Sequence, residues 1–154
     1  MGGPLVDIST AMASIATMQA GLAITSPVSR SVKRAFTFPP NRQQALADTP
    51  CWINGWQLAR IEWGLGGTAG PRHEFYTVHS QLFVLDADLN RGASIASAFL
   101  PAFLVALNAD WTLGGTVVSV DCRGGDPTLG LLEWAGQGYP GLDLYLDVEV
   151  TNNS

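Results

Sequence analysis

The sequence predicts a single-domain α+β fold in which a mostly antiparallel sheet carries helices on one face. At 154 residues the chain matches the usual size of one domain with one hydrophobic core. Apolar residues recur at helical spacing in two segments, 5–22 and 96–107, while other segments are rich in residues that favour strands. The resulting order is a helix, a long loop, two strands, a second helix and three strands. This order suits an antiparallel sheet with helices on one face.

A first helix is predicted from about Pro4 to Ala23. Pro4 suits the first turn of a helix, where its missing N–H costs nothing. Polar residues interrupt the apolar stretch and no basic residues precede it, so it matches neither a signal peptide nor a membrane span. The apolar residues at helical spacing are Leu5, Ile8, Met12, Ile15 and Leu22.

A long connector follows, from Ser26 to Pro50. It holds four prolines and four of the eight basic residues, and it has no sustained periodicity. A connector of this length inside one domain is usually functional or disordered. Because cations lie beside apolar side chains, we expect it to be a joint with a neighbouring subunit or partner and not part of the domain's own core. The candidate contacts are Arg30, Val32, Lys33, Arg34, Phe36, Phe38 and Arg42.

Two strands and a helix are predicted next. Residues Cys51–Trp63 are rich in Trp, Ile and Leu and predict a strand, and four glycines within 64–71 predict a turn. Residues 75–85 predict a second strand, antiparallel to the first. A helix is then predicted over Asn90–Asn108, with Asn90 as its N-cap. Pro101 is expected to kink this helix or to end its first half.

The C-terminal part is predicted to add three strands. The first two are Thr116–Cys122 and Leu129–Trp134, separated by a turn at 124–127. In the last strand, 142–151, apolar and polar residues alternate, so we expect its even-numbered face in the core and its odd-numbered face in water. The acids on that wet face are Asp143, Asp147 and Glu149.

The sequence contains no arrangement of residues that predicts catalysis, a metal site or a cofactor. His73 and His79 are six residues apart, and no third ligand is placed near them. Cys122 would need one of these histidines beside it to act as a nucleophile, and a buried, inert thiol is far more common. The acids of the last strand occupy positions where carboxylates are normally solvated.

The charge content favours assembly with partners. Charged residues make up 14% of the chain, against about 25% in an average protein, so much of the surface is neutral or apolar. Monomers seldom expose large apolar patches. The net charge of −5 disfavours nucleic acid as the main ligand. Basic residues concentrate within 30–60 and acids after residue 93, so surfaces of opposite sign can pair between copies or with a partner.

The order of elements resembles that of the tail-terminator, or tail-completion, proteins of long-tailed bacteriophages. The similar parts are the N-terminal helix, the proline-containing lead into a strand at 47–53, the long strand at 74–84 with the helix after it, and the closing segment 138–150. In that last segment an aromatic-Gly turn leads into the final strand. The resemblance covers most of the chain.

The resemblance implies a structural subunit and not an enzyme. It implies a homo-oligomeric ring, typically a hexamer, that caps the finished tail tube and joins it to the head connector. The partners would be further copies of the chain, the tail tube protein and a head-completion or connector protein, within the virion and with no membrane. DNA would pass through the lumen without specific binding. The acids of the last strand are candidate lumen or interface residues, because negative charge repels the phosphate backbone.

Two alternatives stay open. One is another neck protein, such as a head-completion or adaptor subunit, or a tail-tube subunit. The other is a small α+β enzyme or ligand-binding domain that uses His73, His79 or Cys122. A deep polar pocket around these three residues would favour the enzyme, whereas an open ring with a wide axial hole would favour the terminator.

Overall fold

Two helices and eight strands make up the part of the chain that the computed structural model describes, which is residues 7–41, 44–65, 67, 70–123 and 127–152. In chain order they are α1 (Ile8–Ala20), β1 (Ala23–Ile24), β2 (Arg30–Ser31), β3 (Arg34–Phe36), β4 (Cys51–Trp63), β5 (Arg72–Phe83), α2 (Leu89–Ala109), β6 (Ser119–Cys122), β7 (Thr128–Trp134) and β8 (Gln137–Asn152).

Six of these strands form one sheet, in the order β3-β4-β5-β8, with both β6 and β7 on the far side of β8. β8 is long enough to hold both, since its first part, 137–143, pairs with β7 and a later part, 146–149, pairs with β6. The β3–β4 pair is parallel, and the other described pairs are antiparallel, including the separate β1–β2 pair. The predicted α+β class with a mostly antiparallel sheet is therefore confirmed.

Both helices pack on the same face of this sheet. That face carries the even-numbered residues of β5 and β8, such as Val78 and Leu146, which are 0% exposed. Met12 and Ile15 of α1 belong to the same core. Burying an apolar side chain of this size contributes about 1.5–3 kcal/mol. The prediction that the even-numbered face of the last strand lies in the core is confirmed.

A buried polar group joins α1 to the sheet. The side-chain amide of Asn54 in β4 donates to Gln19 Oε1 at 2.7 Å and to the Phe36 carbonyl at 2.9 Å. The Ser80 hydroxyl of β5 donates to Asn54 Oδ1, and the Gln19 amide donates back to the same oxygen at 3.2 Å. The hydrogen bonds among these buried polar groups replace the hydrogen bonds they would make with water. They also fix where α1 lies across β4 and β5.

The second helix differs from its prediction at two points. Its N-cap is Asp88, two residues before Asn90, because the Asp88 carboxylate accepts from the backbone N–H groups of Asn90 at 3.0 Å and Arg91 at 3.3 Å. Pro101 does not end the helix, which continues to Ala109. Phe99 and Phe103 on either side of it are 0% exposed, and their packing offsets the hydrogen bond that a proline removes.

The same helix, α2, is long and apolar enough to cross a membrane by length and composition alone, with a mean hydropathy of 1.6. A core helix meets the same criteria. One face of α2 packs against the sheet, and Ile95, Phe99 and Phe103 on that face are 0% exposed. We therefore assign α2 to the core of the domain.

The connector is part of the domain's core, contrary to its prediction. Val32 is 7% exposed and belongs to the main core together with both helices. Leu46 is 8% exposed and packs on the opposite face of the sheet. The connector also forms two short strands, β2 and β3, where the sequence predicted only a loop. A segment without periodicity can be buried at single positions, and such positions leave no pattern in the sequence.

A second apolar cluster lies where the connector crosses the far face of the sheet. Trp134 of β7 donates its indole N–H to the Gln44 carbonyl at 3.0 Å, and the Leu46 N–H donates to the Tyr139 hydroxyl at 3.2 Å. The connector thus covers one half of the face opposite the helices and leaves the other half open. The buried members of the cluster are Leu46, Cys51, Ile53, Phe83, Trp134 and Tyr139.

Candidate functional site

The open half of the far sheet face is the first candidate site, and we call it the polar face. It is formed by the odd-numbered residues of β5 and β8, which pair across the two strands, with neighbours from β4 and from the end of β6. The same period-2 alternation that buries the even-numbered residues turns these side chains outward. Its members are Arg60, His73, Phe75, Thr77, His79, Asp121, Arg123, Asp143, Tyr145, Asp147 and Glu149.

The three acids of the last strand lie together on the polar face, and each has an ionisable partner. Arg123 contacts Asp147 at 2.6 Å. His73 Nδ1 lies 3.2 Å from Glu149 Oε1, and His79 Nε2 contacts Asp143. The acids share one face, as the alternation predicted. The pairing makes the polar face mixed in charge and not uniformly acidic, so its expected role as a repulsive lumen stays a prediction.

Aromatic rings hold the charged groups of the polar face in place. The His79 and Tyr145 rings stack with their centroids 4.5 Å apart and their planes 9° apart. The Arg123 guanidinium lies 5.6 Å from the Tyr145 ring, and that of Arg60 lies 3.9 Å from the Phe75 ring. Each exposed contact of this kind contributes about 0.5–1 kcal/mol. Together they link β4, β5, β8 and the residue after β6.

A cleft of about 420 Å³ opens on the polar face. Two guanidinium groups and three carboxylates line it, so neither sign of charge dominates. Among the described residues no group of three His, Cys, Asp or Glu side chains is placed to hold a metal ion. The charged residues at the cleft are Arg60, Asp121, Arg123, Asp147 and Glu149.

The residues named for an enzyme do not come together. Cys122 pairs with Leu146, so its side chain lies on the helix side of the sheet, while His73 and His79 lie on the polar face. The two histidines are six residues apart on one strand, which is about 20 Å. Burial raises the pKa of the Cys51 thiol to about 12, which keeps it protonated and unreactive. The sheet itself thus separates Cys122 from the bases it would need.

A buried carboxylate at the start of β5 was missed by the sequence analysis. Glu74 is 7% exposed and accepts hydrogen bonds from Arg72 Nε at 2.8 Å, the Tyr76 hydroxyl at 2.9 Å and Asn152 Nδ2 at 3.2 Å. Burial favours the neutral acid, but these three donors outweigh it and lower the pKa of Glu74 below its usual value of 4.5. The group ties the end of β8 to β5.

We expect Glu74→Gln to flatten the acid limb of the stability profile. A carboxyl with a lowered folded pKa adds stability that is fully present above the unfolded value of about 4.5 and is lost as pH falls through the folded pKa. Urea unfolding midpoints from pH 7 down to pH 3 measure this. The matched control is Glu62→Gln, since the Glu62 side chain is 58% exposed, and it should keep the wild-type profile. Parallel profiles for wild type and Glu74→Gln would contradict the role of Glu74.

Exposed apolar side chains form the second candidate site, and they lie along two strands. In β4, Trp56, Leu58 and Trp63 are 38–48% exposed. In β7, Leu129 is 50% and Leu131 is 64% exposed. The alternation in both strands places one set of side chains on each sheet face. The strands could therefore be predicted from the sequence, but not which of these side chains would be left uncovered.

The predicted contact residues of the connector fall into three groups. Val32 is buried in the core, so the prediction that it meets a partner is wrong. Arg30, Lys33 and Phe38 are exposed, and Arg34 lies with its guanidinium 4.3 Å from the half-buried Phe36 ring. For these residues a partner contact stays a prediction. Arg42 lies outside the described residues.

Comparison of the sequence with models of known protein families and with curated protein sequences finds no match. The assignment of a function therefore depends on the surfaces described above and on the order of the elements.

Proposed function

We propose that this chain is a structural subunit that assembles with copies of itself into a ring. The ring, of six copies, caps the tail tube of a long-tailed bacteriophage and joins it to the head connector. The observation that carries the self-assembly is the exposure of Trp56, Leu58, Leu129 and Leu131 along two strands of one sheet. Large apolar side chains that stay exposed in a single copy are typical of surfaces that a partner covers.

The low charge content supports the same proposal. With 14% charged residues, the chain has little charge to keep separate copies apart. The choice of a tail terminator among ring-forming proteins rests on the resemblance in element order, which includes the closing strand β8. In this proposal DNA passes through the lumen, and the partners are the tail tube protein and the head-completion or connector protein.

A catalytic role has less support. A Cys–His nucleophile would need Cys122 and a histidine on the same side of the sheet, and they lie on opposite sides. The cleft on the polar face is lined by charges of both signs, and two of them, Arg123 and Asp147, pair with each other. Those features agree better with a surface that meets another protein or lines an opening.

We expect the purified chain to form closed rings of six copies, each of 16.3 kDa. Native mass spectrometry gives the number of copies, and negative-stain electron microscopy shows whether an axial hole is present. A strict monomer at high concentration, with no ring in the parent particle, would overturn the proposal.

Antibody labelling of the parent particle distinguishes a tail terminator from the alternative neck and tail-tube proteins. We expect label at the head-proximal end of the tail tube. Label along the whole tube would identify a tube subunit, and label that stays with isolated heads would identify a head-completion or adaptor protein. Either result would replace the terminator while leaving a structural role in the virion.

A further inference from the structure

The sheet has two unpaired edges among the described residues. β3 covers the outer edge of β4 only along Cys51–Ile53, which leaves residues 54–63 without a neighbouring strand in the described part of the chain. β7 pairs with β8 on one side, and no described strand pairs with its other side. The edge of β6 is different, because its Val120 N–H already donates to the Trp111 carbonyl at 2.8 Å.

Both edges expose apolar side chains on the same face of the sheet, the helix side. Trp56 and Leu58 of β4 lie opposite Val78 and Tyr76, which face the core, so they project to the helix side. In β7, Leu129 lies opposite the core residue Leu142, and Leu131 projects to the same side. Proteins normally protect an edge with charge, proline or a bulge. The bulge of β4 begins only after Leu58, which leaves 54–58 regular.

The strand directions fit a pairing between copies. β4 runs parallel to β8 because each is antiparallel to β5, whereas β7 is antiparallel to β8. A rotation can place the next copy beside the first so that their two sheets join edge to edge and the helices of both copies lie on one face. In that arrangement β7 of one copy lies antiparallel to β4 of its neighbour. Directly opposite residues in an antiparallel pair share a face. Trp56 opposite Leu131 and Leu58 opposite Leu129 satisfy this rule.

We propose that β4 of one copy pairs antiparallel with β7 of the next, in this register, and that this contact builds the ring; the inference rests on the proposed function. The contact uses a different edge on each side, so it is heterologous, and such contacts close into rings when the rotation allows. It covers the exposed leucines and Trp56 and adds a backbone ladder to two edges that no described strand pairs around these side chains.

The pairing also determines how the strands lie in the ring. Within one copy, Trp56 aligns across the sheet with Leu146 of β8, and Leu131 aligns with Pro140 of β8. Because the proposed contact places Trp56 opposite Leu131 of the neighbour, the two copies are shifted by six residues along the strand direction, or about 20 Å. Four strand spacings separate one copy from the next, which is about 19 Å. The strands therefore incline by about 45° to the ring axis, close to the tilt of about 35–45° in closed barrels.

Cysteine cross-linking tests the register on the full chain. In Leu58→Cys/Leu129→Cys the two thiols face each other between copies at a distance suited to a disulfide. We expect mild oxidation to give a ladder of products up to the full ring. The matched control, Gln57→Cys/Leu129→Cys, places its thiols on opposite sheet faces and should give no ladder. Products that stop at a dimer, or a ladder in the control alone, would overturn the pairing.

A charge placed on the edge tests whether the contact builds the ring. Leu131→Asp should weaken self-association by at least about 100-fold and leave circular dichroism and thermal melting unchanged, since Leu131 is 64% exposed. The control Val105→Asp, on α2 and 70% exposed, should assemble like wild type. A wild-type ring that Leu131→Asp leaves intact would overturn this contact but not the proposed function. A wild-type monomer would overturn both.

Discussion

Leu146→Asp should unfold the domain. Leu146 is 0% exposed in the centre of β8, between Val78 of β5 and Cys122 of β6, on the side that both helices cover. The substitution removes the packing of a buried leucine and places a carboxylate where no partner or water can reach it. We expect a cost of about 5 kcal/mol, which is comparable to the whole stability of many domains. Urea unfolding followed by tryptophan fluorescence measures it, and Leu144→Asp should behave in the same way.

The neighbouring residue supplies the control. Asp147 lies on the polar face with its side chain 51% exposed, and it pairs with Arg123 at 2.6 Å. Asp147→Asn keeps the size of the side chain and removes one exposed ion pair, which contributes about 0–1 kcal/mol. We expect its melting temperature to stay close to that of wild type. If Leu146→Asp melted like wild type as well, the assignment of the even-numbered face to the core would be wrong.

Among the glycines described in this sheet, we expect Gly141 to cause the largest loss of folding stability when it is replaced by alanine. Gly141 lies in β8 opposite Phe83 on one side and Gly130 on the other. An added Cβ would meet the backbone carbonyl of Leu82, and it would lie 2.7 Å from Leu132 Cδ1. A backbone carbonyl in a central strand cannot move aside without shifting its ladder. We expect a loss of about 3 kcal/mol, at the upper end for an overpacked core, measured by thermal or urea unfolding.

Gly55→Ala provides the comparison for that loss. Gly55 is also a strand residue, in β4, and among the described residues no atom outside its own chain neighbours lies within 4 Å of an added Cβ. Alanine also reduces the freedom of the unfolded chain relative to glycine, so Gly55→Ala should be neutral or slightly stabilising. Equal melting of the two variants would mean that the close approach at Gly141 is not a constraint.

The assembly surfaces and the core respond to different substitutions, which makes the proposals separable. Leu146→Asp and Gly141→Ala act on the folding of one copy. Leu131→Asp acts on an exposed edge and should leave one copy folded. A variant that lost both its fold and its assembly would say nothing about the interface, so the unchanged melting temperature of Leu131→Asp is part of its test.

Local patterns in the sequence determined much of the strand content. The predicted bounds of β4, Cys51–Trp63, agree with the structure, and the alternation in 142–151 identified the buried face of β8. The first signal is a local enrichment in residues that favour strands and the second is a period-2 alternation, so neighbouring residues alone carry both. The helix N-cap was placed two residues late because Asp88 and Asn90 are both good capping residues, and backbone geometry decides between them.

The tertiary structure alone decided how the connector is used and which strand edges are unpaired among the described residues. Val32 and Leu46 enter cores on opposite faces of the sheet, and the Gln19–Asn54–Ser80 group joins residues 35 and 61 positions apart. The separation of Cys122 from the histidines depends on register, and the edges of β4 and β7 that no described strand pairs depend on strand order. Strand order and register join residues that are distant in the chain, and local periodicity contains no information about such partners.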